Sequence, residues 1–356
     1  MSPSSLGDRA FPKISGKVSE FLYQLKALKR AGKLTASEID VEGTVKLHGM
    51  HADLVFDLTC SNTPDSIIFQ SRNKECPPTA SQHGWPCNIA EHTAALICLR
   101  DQILTRFKEL NPDDAIEIQK PLIVAGEWIG PKIQKDVGVS DISHRFVVLT
   151  VQINGTWQYD RDYADIEAPE ATIFNVHRAP PYRVQLNLDD LSSNNPALIE
   201  MQRLADEVER CCPFAAAFGV ENSKGEGIVW KPSIREARAS AKFWLKTKGP
   251  DFGPDNRIQA SDAMETELTA EQAAKKWLTE RRVEQGCEYL AEIQITGKAR
   301  FNAFRKWVID DILTEEATEI GMLAKKQPDF GQHLQKHLHR LLSDVFNSKM
   351  RMKKVE

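Results

Sequence analysis

The sequence has no apolar run long enough to cross a bilayer as a helix, which excludes a helical membrane protein. Residues 1–11 are rich in Ser and Pro and lack the apolar stretch that a secretory leader needs. An even set of closely spaced cysteines is also missing. The seven present are Cys60, Cys76, Cys87, Cys98, Cys211, Cys212 and Cys287. Their odd number argues against a disulfide framework and for a soluble protein in a reducing, intracellular compartment, cytoplasm or nucleus. Positive charge is not in excess: 46 Lys+Arg stand against 50 Asp+Glu, a net charge of −4. A protein basic over its whole surface is thereby excluded, and any polyanion site must come from local clustering. Internal repeats and low-complexity tracts are absent.

What is present suffices for one large core or two domains: 356 residues, 41% of them hydrophobic. Val18 to Leu28 has helical spacing and stops near Gly32. Strands are expected up to Lys46, over Ala52–Leu58, Ile67–Asn73, Leu122–Trp128, Phe146–Ile153, Tyr182–Leu188, Gly225–Pro232 and Ala241–Lys248. Ile89–Leu110 and Pro196–Cys212 read as helices, the first ending ahead of Asn111-Pro112. Residues 74–90 read as a loop. The Pro/Gly-rich run 249–254 is a linker, and from Thr269 to Met350 the pattern is helical throughout. The outline is a mixed α+β domain over residues 1–250 and an all-α domain over residues 251–356.

Lys46 ends a strand in the run Glu42-Gly43-Thr44-Val45-Lys46-Leu47-His48-Gly49, and Gly49 allows a close backbone approach just after it. Later strand ends carry Arg72, Glu127, Glu226, Lys246 and Lys248. Three lysines and an arginine beside two glutamates suit a phosphate-rich ligand with a divalent cation. A lysine whose proton is disfavoured by neighbouring cations and burial is also a nucleophile. Its amine can attack an α-phosphorus, with metal and lysines stabilising the departing pyrophosphate. Each residue has an ordinary reading beside this one. Lys46 can be an exposed strand-end lysine, Arg72 an ion-pair partner and His48 a packing residue. Glu127 and Glu226 can be solvated carboxylates, and Lys246 and Lys248 an alternating solvent face. Cys76, His83, Cys87 and His92 have zinc-donor chemistry without a tight zinc spacing, and a loop near the nucleotide is the preferred reading. Lys349, Arg351, Lys353 and Lys354 read as a frayed basic tail.

In this order the motifs resemble those of the covalent nucleotidyltransferases, and within them the ATP-dependent RNA ligases of phage and RNA-editing type. Lys46-Leu47-His48-Gly49 is similar to the nucleophile motif, with the His form typical of RNA ligases. Ser71-Arg72-Asn73 resembles the arginine motif, and Gly126-Glu127 the motif whose Glu contacts ribose. Phe146 to Val151 lies where the family has an aromatic strand against adenine. Glu226 to Lys231 resembles the Glu-Gly motif of the metal-dependent steps, and Leu245 to Lys248 the paired-lysine motif. The chain departs from the family pattern at Val45, where Glu is frequent, and at His51, where Asn is common. It departs also at Leu149, which leaves Phe146 as the nearest aromatic.

The resemblance, over residues 40 to 250, implies a nucleotidyltransferase (ATP-grasp-like ligase) domain of antiparallel sheets with flanking helices. It implies ATP and Mg²⁺ or Mn²⁺ as cofactors, and RNA 5′-phosphate and 3′-hydroxyl ends as substrate, joined through lysyl-AMP on Lys46. Catalytic roles fall to Lys46, Glu226, Lys246 and Lys248, with Glu226 on the metal. Nucleotide contacts fall to His48, Gly49, Arg72, Glu127, Phe146 and Lys231. The helical tail, with Arg281, Arg282, Lys298, Arg300, Arg305 and Lys306, would engage RNA, while Phe301, Phe304 and Trp307 form its core. No membrane or protein partner is implied. The alternatives are a capping guanylyltransferase and a non-catalytic RNA-binding relative.

Overall fold

The computed structural model describes residues 11–352, apart from 61, 62, 73, 80, 83, 193, 253–267, 294, 296 and 298. The chain divides into two compact units, Met1–Ser261 and Asp262–Glu356. The end of the expected linker, Gly253-Pro254, lies outside the described residues, as do Lys353 and Lys354 of the C-terminal tail.

The first unit mixes helices with largely antiparallel sheets. Its strands in chain order are β1 (Glu38–Lys46), β2 (Met50–Phe56), β3 (Ile67–Ser71), β4 (Ser81–Gln82), β5 (Trp85–Pro86), β6 (Leu122–Ile129), β7 (Arg145–Ile153), β8 (Thr156–Trp157), β9 (Ile173–Asn175), β10 (Tyr182–Asn187), β11 (Gly227–Pro232) and β12 (Leu245–Lys248). One sheet has the order β10-β1-β11-β12 and a second the order β3-β2-β6-β7-β8, with β9 beside β7. The β7–β9 pair runs parallel. The long helices are α1 (Val18–Arg30), α2 (Thr93–Leu110) and α3 (Pro196–Arg210). Asn195 caps α3 by accepting from the Ala197 N–H, and Pro196 fills its first position, where a missing N–H costs nothing. The helix expected from Ile89 is broken, because His92 (φ −102°, ψ 39°) leaves helical geometry ahead of α2. The last expected strand begins late: Ala241–Phe243 is a 3₁₀ turn and only Leu245–Lys248 pairs.

Period-2 alternation decides which side chains face where. In β1 the odd positions Ile39, Val41 and Val45 join a core with Phe21, Leu22 and Leu25 of α1 and Leu198, Met201 and Val208 of α3. In β2 the even positions Ala52, Leu54 and Phe56 join a second core with Leu96, Leu99, Ile103 and Phe107 of α2. Each such buried Val, Leu, Ile, Met or Phe side chain stabilises the fold by about 1.5–3 kcal/mol. The remaining positions, Glu42, Thr44 and Lys46 of β1 and His51 and Asp53 of β2, are left to the space between the two sheets.

The second unit consists, among its described residues, of five helices: α4 (Ala270–Trp277), α5 (Glu280–Glu292), α6 (Ala299–Glu315), α7 (Ala317–Lys326) and α8 (Phe330–Met352). Phe330, Leu334, Leu338 and Leu342 form one face of α8 at four-residue steps and pack with Trp277, Phe304, Val308 and Ile312. Phe301 packs on Phe346, and Trp307 is half-buried against the same core. Arg282 is spent inside this unit, on Asp311 at 2.7 Å and Glu316 at 3.1 Å. It is therefore withdrawn from the set expected to meet RNA. Lys298 lies outside the described residues, and the Arg281 side chain is not described. No helix among the described residues is long and apolar enough to cross a membrane.

Candidate active site

Lys46 closes β1 on the inward face. The ladder pairs Lys46 with Gly227, and Gly227 with Lys248, so three strands deliver their charges to one place. Glu226 Oε2 accepts from Lys46 Nζ at 2.6 Å, and Oε1 from Lys248 Nζ at 2.8 Å. His48 Nδ1 stands 3.4 Å from Oε2. The approach is possible because residue 227 is glycine, with φ at 151°. A Cβ there would lie 2.1 Å from the Thr247 carbonyl oxygen. Trp230 Nε1 donates to Thr247 Oγ1 at 2.8 Å and pins the register of β12.

The electrostatics follow from burial. Glu226 is only 2% exposed. Burial alone would raise its carboxyl, but the Lys248 and Lys46 ammoniums, with His48, hold it well below the usual range. Burial pushes Lys248 down to about 8, against the pull of Glu226 and with the help of the Lys46 and Lys246 charges. Lys246, two residues back on the same face, pairs with Val229, and its backbone N–H donates to the Ser15 carbonyl.

Glu127 arrives from β6. Its Oε1 accepts the Gly49 backbone N–H at 3.0 Å. Gly49 has no room for a side chain, since a Cβ would lie 2.5 Å from the Trp128 carbonyl oxygen. Burial raises Glu127, while the charges of Lys46, His51 and Arg72 pull it down. Arg72, exposed just past β3, thus belongs to the same electrostatic neighbourhood.

Two expected residues lie elsewhere. Phe146 is fully buried on the outward face of β7, stacked on Trp85 at 5.4 Å. It belongs to the α2 core, not to the face that carries Glu127, and is corrected from a base contact to a core residue. Lys231 faces inward, but five residues beyond Glu226. It binds Asp160 at 2.6 Å and lies 4.0 Å over the Trp244 ring, apart from the lysine cluster. In the cysteine loop, Cys87 Sγ donates to the Pro78 carbonyl and Cys76 is buried. His83 lies outside the described residues.

One pair escaped the sequence reading. His51 Nε2 stands 2.8 Å from Asp53 Oδ2, and the Phe11 ring stacks on His51 at 5.1 Å. Asp53 is fully buried, and its Oδ1 has no partner among the described residues. The signal was available: residues 51 and 53 share a strand face with the paired Glu127.

No group of three or more His, Cys, Asp or Glu among the described residues is arranged to hold a metal ion. The donor set still fits Mg²⁺, which takes one or two carboxylates and completes its shell with water and substrate phosphates. Glu226, with its oxygens on Lys46 and Lys248, is the carboxylate at the centre of the lysine cluster.

A model of the RNA ligase family matches residues 39–248, and the chain belongs to that family. Among solved structures the chain is similar to an RNA ligase of Naegleria gruberi. A variant of that ligase with ATP and Mn is 15% identical over 73% of this chain and 62% of that one, at a TM-score of 0.42. A variant with AMP and Mn is 17% identical over 72% and 60%, at 0.43. The form with PPi is 17% identical over 71% and 63%, at 0.40. The chain spans about three-fifths of the length of these structures, and so distant a likeness transfers no residue roles. No curated protein matches the chain.

Proposed function

We propose that this chain is an ATP-dependent RNA ligase that joins 5′-phosphate and 3′-hydroxyl ends through a lysyl-AMP intermediate. The supporting observation is the Lys46–Glu226–Lys248 arrangement, a nucleophilic amine and a second cation on the two oxygens of one buried carboxylate. A binding module has no use for such an amine.

Lys46 Nζ, as the free amine, attacks the α-phosphorus of ATP. The P–N bond forms, the P–O bond to pyrophosphate breaks, and the amine's proton leaves to solvent. Lys246 and Lys248 neutralise the phosphoryl oxygens, as two ammoniums on one strand face suit. Glu127 accepts from the ribose hydroxyls, and Gly49, hydrogen-bonded to it, brings the backbone close. Arg72 meets the outer phosphates. A bound Mg²⁺ or Mn²⁺, held by Glu226, supplies further neutralisation of phosphoryl charge. AMP then passes from Lys46 to the RNA 5′-phosphate, forming a pyrophosphate linkage and freeing the amine. Attack by the 3′-hydroxyl forms the phosphodiester and releases AMP. In this reading residues 1–250 form the nucleotidyltransferase domain, and residues 251–356 engage RNA in an intracellular compartment.

Incubation with α-labelled ATP and Mg²⁺ tests this. A covalent protein–AMP adduct is expected, and Lys46→Ala should abolish it. Labelling by GTP alone would replace the reading with a capping guanylyltransferase, and labelling by neither nucleotide would leave a binding module.

A further inference from the structure

Arg145 is a buried cation without a counter-charge among the described residues. It is 8% exposed. Its Nε donates to the Ser143 carbonyl at 3.0 Å and its Nη2 to Ser143 Oγ at 2.6 Å. Nη1 has no acceptor among the described residues, nor is it sealed from solvent. No carboxylate among the described residues pairs with this guanidinium, although buried charges are ordinarily paired. It lies 4.0 Å over the Phe218 ring and 5.0 Å over Phe174. Arg178 lies 4.6 Å over the same Phe174 ring and 5.4 Å over Phe218. Glu167 is engaged by Arg178, at 2.7 Å, and by the Asn175 N–H, at 2.9 Å. Two guanidiniums therefore share two half-buried rings and one occupied carboxylate. Burial, and then the Arg178 charge, hold Arg145 below its ordinary value, so the surroundings are short of negative charge.

The place of this cluster gives it a use. Arg145 pairs with Ile129, two residues beyond Glu127 on the same face of the sheet, and Phe174 pairs with Val147, which itself pairs with Glu127. Strand geometry puts the Arg145 and Glu127 Cα atoms roughly 8 Å apart. The loop after β6 carries the exposed Lys132 and Lys135. It is tied to the start of β7 by His144 Nε2, 2.9 Å from the Pro131 carbonyl oxygen.

We propose that Arg145 and Arg178, held in plane by Phe174 and Phe218, bind a backbone phosphate of the RNA strand close to the end being joined. Stacking fixes the plane of a guanidinium, and the Nη1 groups that Ser143 and Glu167 do not engage are left for phosphate oxygens, a geometry lysine does not reproduce. Phosphate brings the charge that the cluster lacks and asks for no particular base. The inference rests on the ligase reading for the identity of the strand, and the test separates the two.

Arg145→Gln, Arg178→Gln and Arg145→Lys are compared with the full-length wild type for binding of a single-stranded 5′-phosphate RNA across a salt series. Adduct formation with α-labelled ATP is followed in parallel. Arg145→Gln and Arg178→Gln combined should lower the slope of log affinity against log salt by about 0.7, the value for one single-strand phosphate contact, and each alone by a share of it. Arg145→Lys should keep the slope and lose affinity. The KM for ATP should not move. An unchanged slope in Arg178→Gln, whose side chain is partly exposed, overturns the proposal once denaturation shows the variant folded. So does a raised KM for ATP with an unchanged RNA slope, which would assign the arginines to the triphosphate tail. Failure of the wild type to form an adduct overturns the ligase reading alone, since the RNA slope is measured without it.

Discussion

Replacing Lys248 by Met should remove one pH-dependent contribution to stability, and its size follows from the site. In the unfolded chain this lysine keeps its proton up to about 10.5. In the folded protein, burial and the Lys46 and Lys246 charges bring that point down to about 8. Between the two values the unfolded chain binds more protons, so stability rises with pH. Below pH 8 both states are protonated and the fold carries the whole cost. Above 10.5 neither is, and the cost is gone. A lowering from 10.5 to about 8 amounts to about 3 kcal/mol. The wild type should therefore gain about 3 kcal/mol on Lys248→Met between those pH values. Urea denaturation of both proteins across the window measures this, and lysines remote from the site cancel in the difference. A flat difference, or one that falls as pH rises, would refute the claim that Lys248 is buried beside other cations. The same titration predicts that KM for ATP climbs above pH 8, as the phosphate-holding ammonium is lost.

Three further outcomes are expected. Gly227→Ala forces a side chain into a φ of 151° against the Thr247 carbonyl. It should cost at least about 1–3 kcal/mol in denaturation, and wild-type stability would count against the close approach of β11 and β12. Lys231→Met strips Asp160 of its cation and leaves it Thr150 as partner. A loss of about 3–5 kcal/mol is expected, and a changed KM for ATP at full stability would show that Lys231 serves the nucleotide after all. Phe146→Ala should cost about 3–5 kcal/mol through the cavity it leaves. What remains folded should bind ATP as the wild type does, and a specific loss of ATP affinity would return Phe146 to the base pocket.

Much of the first unit was legible because its signals are local. Apolar runs broken by turn residues marked the strands. The order Lys46, Arg72, Glu127, Glu226, Lys246, Lys248 stood in the chain before any of them met in space. The facing of β7 was not legible. Arg145-Phe-Val-Val-Leu-Thr-Val is apolar at both parities, as expected of a strand buried on both sides, so alternation does not say which side Phe146 takes. A register shift between Ala125 and Gly126 of β6 adds to this, and a bulge is invisible to a period-2 count. Lys231 misled for another reason. It belongs to the same short motif as Glu226, but five residues of extended chain span roughly 16 Å, and Asp160 was there to receive it.

The sequence by itself determined the kinds of groups, their order and the strand ends that carry them, since residue chemistry and backbone periodicity act over a few positions. Only the tertiary structure decided that Lys46 would lie 2.6 Å from Glu226, a residue 180 positions away, or that Arg145 would be buried without a carboxylate. Such meetings depend on cross-strand register and on which sheet face each core claims. Both are set by packing the whole unit at once, not by any segment alone.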